Sequence, residues 1–375
     1  MPGADKDVED PAVTSETQSG QRIAVVLFNL GGPDKPESVQ PFLFNLFYDP
    51  AIIRLIKPLR WAIAKLISSR RAPIAKENYA YMGGGSPILP LTMAQAKMLE
   101  VVLGEQVGEA KVFIAMRYWH PMSRQTAAQV KAYKPDRIVL LPLYPHFSTT
   151  TTGSSLKDWD KAARAARIDP AREVTVCCYP RNAGFLAGHA ETITQALQET
   201  RDTGKVRVLF SAHGLPESII KAGDPYQSQI ELTVQSLVGR IREKIGGADF
   251  DWRICYQSRV GPMKWLQPST DAEIRRAGSE KTGLIVVPIA FVSDHVETLV
   301  ELDIEYKKLA EEAGVPFYKR VAALGTNEAF IRGLGEIVQG ALARADGSGQ
   351  SLGPDEGSRI CASGFSGCPC KTTTV

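Results

Sequence analysis

No run of about eighteen apolar residues occurs in this 375-residue chain, which argues against a membrane-spanning helix. Blocks of one charge sign are also missing. Lys and Arg number 44 against 41 Asp and Glu, a net charge of +3, and no zinc finger or aromatic-basic motif accompanies them. Nucleic acid is therefore not an expected partner. Neither a Walker A loop nor a dinucleotide fingerprint is present, so nucleotide binding is unsupported. Residues 1–21, MPGADKDVEDPAVTSETQSGQ, lack both the apolar centre of a signal peptide and the arginine-rich, acid-poor character of a transit peptide. They read as a disordered tail on a cytoplasmic protein. Histidine is scarce, five in all, and cysteine, six in all, is unevenly placed. Cys177 and Cys178 adjoin, Cys255 stands alone, and Cys361, Cys368 and Cys370 crowd the end of the chain.

What is present is a repeated alternation of short apolar runs with helical stretches. IAVVLFNL (23–30), KVFIAM (111–116), RIVLLPLY (137–144), EVTVCCY (173–179), VRVLFSA (206–212), DWRICYQ (251–257) and TGLIVVPIAFV (282–292) read as strands. That alternation predicts parallel sheet covered on both faces, an α/β fold. VLFNLGGPDKPES is echoed by VLFSAHGLPESI, FIAMRYWHPM by RICYQSRVGPMKW, and DRIVLLPLYPHFSTT by TGLIVVPIAFVSDH. Three echoes in one order imply two domains of similar build with a cleft between them. The expected division is 22–190 and 191–345, with 346–375 as a polar linker and cysteine-rich tail.

The segment PIAFVSDHVETLVELDIEY (288–306) holds the densest chemistry. Glu297, Glu301 and Glu305 fall four apart, one helical turn, so the pattern predicts a stripe of carboxylates on one face. Like charges at that spacing repel by a few tenths of a kcal/mol per pair. The stripe suits something positive, a divalent metal ion or protons. Asp294 and His295 precede it, and His213 ends another strand in SAHGLPES, where open α/β sheets place their sites. His213, His295 and Glu297 form a set suited to metal handling or general-base work. The first half carries Gly31-Gly32-Pro33 at the place of His213, so proton chemistry belongs to the second half. MGGGSPI (82–88) and STTTTGSS (148–155) could offer amides and hydroxyls to an anion, or serve turns and packing. Residues 42–67, rich in large apolar and aromatic side chains beside Arg and Lys, read equally as a core helix pair or a membrane-surface lip. The tail spacing C-x6-C-x-C suggests iron–sulfur ligation, with zinc or free thiols as alternatives.

FNLGGP, NYAYMGGGSPI, MRYWHP, TTTTGSS, FSAHGLP, YQSRVGPMKWLQP and FVSDHVETLVELDIEY, in that order, make residues 22–335 resemble the ferrochelatases, which insert ferrous iron into a porphyrin. The resemblance implies the class II chelatase fold, two Rossmann-like domains with parallel sheets around a porphyrin cleft. It implies catalytic roles at His213 and Glu297, where Fe²⁺ would be handled, and a proton or metal conduit through Asp294, His295, Glu301 and Glu305. By motif position Leu30, Arg71, Tyr79, Ser86, Arg117, Tyr118, Val260, Trp265 and Phe291 would contact the macrocycle or its propionates. Segment 42–67 would be a lip on the inner face of a membrane. Protoporphyrin IX is the implied substrate, because the place of Leu30 is tyrosine in the coproporphyrin III enzymes. Coproporphyrin III, or a haem carrier or redox sensor on the same fold, are the alternatives. The tail resembles the [2Fe–2S] extension of some members, although the animal pattern is C-x2-C-x4-C. Gly188 stands where the animal enzymes place their fourth ligand, so here that ligand would be Cys178 or Cys177. Homodimer formation is left open.

Overall fold

The computed structural model describes residues 20–259, 261–347 and 352–370. The expected disordered tail and the porphyrin contact at Val260 lie outside them, apart from the tail's last two residues. The described residues contain nine strands: β1 Ile23–Asn29, β2 Ala110–Met116, β3 Arg137–Pro142, β4 Glu173–Val176, β5 Val206–His213, β6 Asp251–Gln257, β7 Gly283–Pro288, β8 Tyr318–Arg320 and β9 Leu352–Gly353. They form two sheets, ordered β2-β1-β3-β4-β9 and β6-β5-β7-β8, with every pairing parallel. The first strand of each half sits between the second and the third, so the three sequence echoes are a structural duplication. Helices between consecutive strands cover the faces, as parallel pairing requires.

Burial explains why these runs are strands. Every residue of β1 and of β7 is buried, the mark of strands covered on both faces. Each fully buried Val, Leu or Phe contributes about 1.5–3 kcal/mol. One core unites the halves, joining Val25 and Leu27 of β1 with Val208 and Phe210 of β5 and with Phe330, Leu334 and Val338 of the helix Glu328–Gly347. That helix, expected with the second half, packs mainly on the helices Ala183–Glu199 and Ile88–Gln106 and reaches β3 and β4. Polar stitches cross between the halves. The buried amide of Gln95 donates to the carbonyls of Val292 and Gly325, each at 2.9 Å.

Several elements end earlier than their apolar runs. The run expected to be strand through 292 stops at Pro288; Ile289 and Val292 stay buried in the core beyond it, the Ile289 amide still donating to the Ser211 carbonyl at 3.0 Å. Likewise the run through 179 stops at Val176, which frees Cys177 and Cys178 to face other elements. Within the expected linker, β9 pairs with β4, returning the tail to the first sheet. The carboxylate stripe is not one regular helix. A short helix, Val296–Leu299, passes into a π-helix, Glu301–Tyr306, and the Glu305 amide reaches back five residues to the Val300 carbonyl at 3.0 Å. A π-turn is wider than an α-turn, so side chains four apart lose their alignment. Glu297 and Glu301 stay partly buried while Glu305 is exposed.

Candidate active site

His213 is the last residue of β5, and Glu297 lies in the first turn of the helix after β7, the strand beside it. His213 Nδ1 lies 2.7 Å from Glu297 Oε2. Burial opposes a charge on His213, but the Glu297 carboxylate and its hydrogen bond outweigh that cost and, with Glu301, raise the imidazole pKa. Burial alone would raise Glu297; the charge and hydrogen bond of His213, then His295 and Ser258, overcome it and hold the carboxyl down at about 2. The His213 side chain keeps 36% exposure, so water still screens the pair.

Glu301 has the opposite bias. Burial and the neighbouring Glu297 charge raise its pKa, against hydrogen bonds from Ser258 and Gln257. The Ser258 hydroxyl reaches Glu297 Oε2 at 3.0 Å and also Glu301 Oε2, and the Ser258 amide donates to Glu301 Oε1 at 2.8 Å. Gln257 Nε2 donates to the Glu297 carbonyl and to Glu301 Oε2, at 2.9 and 3.1 Å. Ser258 adopts φ +62°, left-handed backbone that is costly for a residue with a side chain. Two carboxylates pushed apart in pKa, joined by one hydroxyl and fronted by an imidazole, can accept a proton and pass it on.

Other expected residues gather around this centre unequally. The Phe291 ring centroid lies 6.5 Å from that of His213 and 4.7 Å from that of His295. His295 is buried with Nδ1 unpartnered, and burial lowers its pKa. Tyr79, from the helix Lys57–Ala80, is buried, and burial and then the Glu297 charge raise its pKa, which brings the first half to the site. Leu30 packs in an apolar cluster with Tyr79, Tyr118, Phe42 and Val296. Trp265 packs near Gly214 with its indole nitrogen unpartnered.

Some assigned groups are engaged elsewhere. Arg117 pairs with buried Asp49 at 2.8 Å and donates to Ser154; Tyr118 also donates to Asp49 at 2.8 Å. Asp294 pairs with Arg320 at 2.9 Å, which also binds Asp303. Arg71 is exposed over the Phe47 ring. Ser86 packs against Gly32, where a Cβ would come within 2.5 Å of the serine Cβ, so the two glycine motifs lock together. The Ser148–Thr149 loop does bind an anion, but a protein one: Asp224 Oδ2 accepts from Ser148 Oγ, the Thr149 amide and Thr149 Oγ1. Sequence reasoning missed Asp49, Ser258, Gln257, Asp224 and Arg320. Only Gln257 and Ser258 carried a signal, standing in the motif YQSRVGPMKW.

A second cluster forms where the tail folds back. Cys177, Cys178, Cys361, Cys368 and Cys370 are all buried and pack together beside Phe147. Cys177 Sγ and Cys178 Sγ are 3.5 Å apart. A hydrogen bond from Cys361 lowers the Cys368 thiol to about 6 against burial, while hydrogen bonding to Cys177 and burial raise Cys178 well above its ordinary value. Among the described residues no three His, Cys, Asp or Glu side chains stand at metal-ligating geometry; the thiols face one another through hydrogen bonds instead.

The family profile described as ferrochelatase matches residues 22–342. A ferrochelatase of Caulobacter vibrioides is 53% identical over 353 residues, 94% of this chain and 98% of that protein. One of Phenylobacterium zucineum is 52% identical, over 93% of this chain and 98% of that one. Among solved structures, SirB from Bacillus subtilis with Fe3+ aligns with a TM-score of 0.48 at 12% identity, over 88% of this chain and 99% of that one.

Proposed function

This chain belongs to the ferrochelatase family, and from that premise we propose that His213 and Glu297 are the proton-accepting pair for inserting Fe²⁺ into protoporphyrin IX. Its activity is that of a porphyrin metal chelatase, the terminal step of haem biosynthesis. Fe²⁺ enters the ring and two pyrrole protons leave. The 2.7 Å contact between His213 Nδ1 and an ionised Glu297 carries the reading. With Nδ1–H donating to Glu297, Nε2 presents a lone pair to a pyrrole N–H, and the carboxylate stabilises the imidazolium that forms. Protons then move outward through Glu297 and the Ser258 hydroxyl to Glu301, because Glu301 holds a proton more readily than Glu297 does. Exposed Glu305 stands at the outer end. His295 and Asp294 flank this route, and Fe²⁺ meets the ring at His213 and Glu297. Phe291, Leu30, Tyr79 and Trp265 supply apolar surface for the macrocycle, and that apolar wall at Leu30 favours protoporphyrin over coproporphyrin, whose extra propionates need cations.

The helices Val39–Phe47 and Lys57–Ala80 form the lip. Phe42 and Leu43 turn inward, while Ile56 (72% exposed), Trp61 (53%), Leu59 and Leu66 face outward beside basic residues. No helix among the described residues is long and apolar enough to cross a membrane. In this reading the lip rests on the bilayer's inner face, the phase from which a greasy porphyrin arrives, and the outward apolar side chains beside basic ones support it.

Though not at the geometry of a single metal ion, the clustered buried cysteines have the chemistry of a [2Fe–2S] site, in which Cys361, Cys368 and Cys370 with Cys178 or Cys177 would be the ligands. The packing of all five buried thiols into one cluster is the observation for it. Such a cluster, when bound, supplies a one-electron redox centre. Replacing His213→Ala should lower iron insertion about 10²–10⁴-fold in an anaerobic assay while porphyrin binding, read by fluorescence, persists. Turnover near wild type in that variant refutes the assignment. Faster turnover of coproporphyrin III than of protoporphyrin IX by the wild type refutes the substrate.

A further inference from the structure

The helix Tyr226–Lys244 presents one buried amide to the cysteine cluster. Gln229 is 2% exposed, and its Oε1 accepts from the Phe147 backbone N–H at 2.7 Å. A backbone N–H can only donate, so this contact fixes the amide's orientation and turns its NH₂ toward sulfur. Nε2 then reaches Cys361 Sγ at 3.2 Å and Cys178 Sγ at 3.4 Å, one from the tail and one from the end of the first sheet. The platform is rigid. Asp224, 1% exposed, accepts from the Tyr226 amide at 3.0 Å and from Ser148 and Thr149. The tail meets the same turn again, the Gly367 amide donating to the Gly223 carbonyl at 2.9 Å.

Resting on the cluster reading above, we infer that Gln229 is a positioning residue for the cluster: its two N–H groups hold Cys178 and Cys361 as ligands, making Cys178 the fourth, and raise the reduction potential. Both thiols are weak acceptors when protonated. As iron-bound thiolates they become charge-assisted acceptors, and donors to thiolate sulfur favour the more negative, reduced state. Cys177 receives no such bond from Gln229.

The test uses the full chain, purified anaerobically, with iron, acid-labile sulfide and visible circular dichroism measured on each variant. Midpoint potentials come from dithionite titration with mediators. Gln229→Met should keep iron and sulfide but favour the oxidised state about tenfold at a fixed solution potential, a fall of about 59 mV for one electron. Should Gln229→Met fail to fold, Gln229→Glu keeps an acceptor for Phe147 while withdrawing both donors, and carries the same expectation. Cys177→Ser should retain the cluster spectrum and Cys178→Ser should lose it. An unchanged midpoint potential in a cluster-loaded Gln229 variant overturns the role of the amide. Retention in Cys178→Ser with loss in Cys177→Ser overturns the ligand choice. Wild type without iron and sulfide overturns the cluster reading and this inference with it, a result separable from the other two.

Discussion

Glu297→Gln keeps the shape of the proposed proton-accepting pair and removes only its charge. The amide oxygen can still accept from His213 Nδ1, across the position now held at 2.7 Å. A hydrogen bond to a charged group contributes about 1.5–3 kcal/mol and one between neutral groups about 0.5–1.5, so the substitution costs about 1–1.5 kcal/mol at the imidazolium. That corresponds to roughly a five- to tenfold loss in kcat, and the 36% exposure of His213 favours the smaller figure. The pH profile is more diagnostic. In the wild type burial opposes the His213 charge but Glu297 overrides it, and the imidazole pKa is raised. The base must be neutral to accept a pyrrole proton, so the rate falls as pH drops through that raised pKa. In the variant the main raising influence is gone and burial remains, so the acid limb must move to lower pH even as the plateau falls. Stopped assays of iron insertion across pH 5–9, with the porphyrin KM followed separately, measure both. An acid limb that stays in place, or moves to higher pH, refutes the pairing. A lower plateau with an unmoved limb would show Glu297 to be merely structural.

Two further tests bear on the surroundings. Ser258→Ala and Ser258→Gly both remove the hydroxyl shared by Glu297 and Glu301, but only glycine relieves the left-handed backbone at φ +62°. The glycine variant should therefore be about 1 kcal/mol more stable than the alanine in urea unfolding, with similar losses in kcat; equal stabilities would remove the strain from the account. At the lip, Ile56→Glu combined with Trp61→Glu should abolish co-sedimentation with anionic vesicles and spare turnover of detergent-dispersed porphyrin, since both side chains face outward. Wild-type protein that ignores such vesicles refutes the lip.

The duplicated framework was legible because parallel strands covered on both faces need continuous apolar runs, and the three echoes align β1, β2 and β3 with β5, β6 and β7. The ends of those runs were not. Ile289 and Val292 are as buried as the strand before them, so composition cannot tell core loop from sheet. β9, two residues long, has no periodicity to read. His213 and Glu297 were singled out from their types and from strand-end placement, and the structure places them 2.7 Å apart. Hydroxyl and backbone contributions stayed hidden. The STTTTGSS loop could have served an anion or a turn; its partner Asp224 lies 75 residues away, and only the packing of the halves supplies it.

The stripe itself shows how a regular period can mislead about geometry. A 3.6-residue period would align all three carboxylates, and three stacked charges would repel with nothing to hold them together. The π-turn at Glu301–Tyr306 breaks that alignment. Glu305 lies in solvent, while Glu297, ahead of the π-turn, and Glu301, at its start, converge on Ser258, one carboxyl held low by His213 and the other raised by burial. A row of equal charges could only attract cations. Two unequal carboxylates sharing a hydroxyl are what the proposed outward proton route requires, and His213 beside one of them with burial of the other makes them unequal.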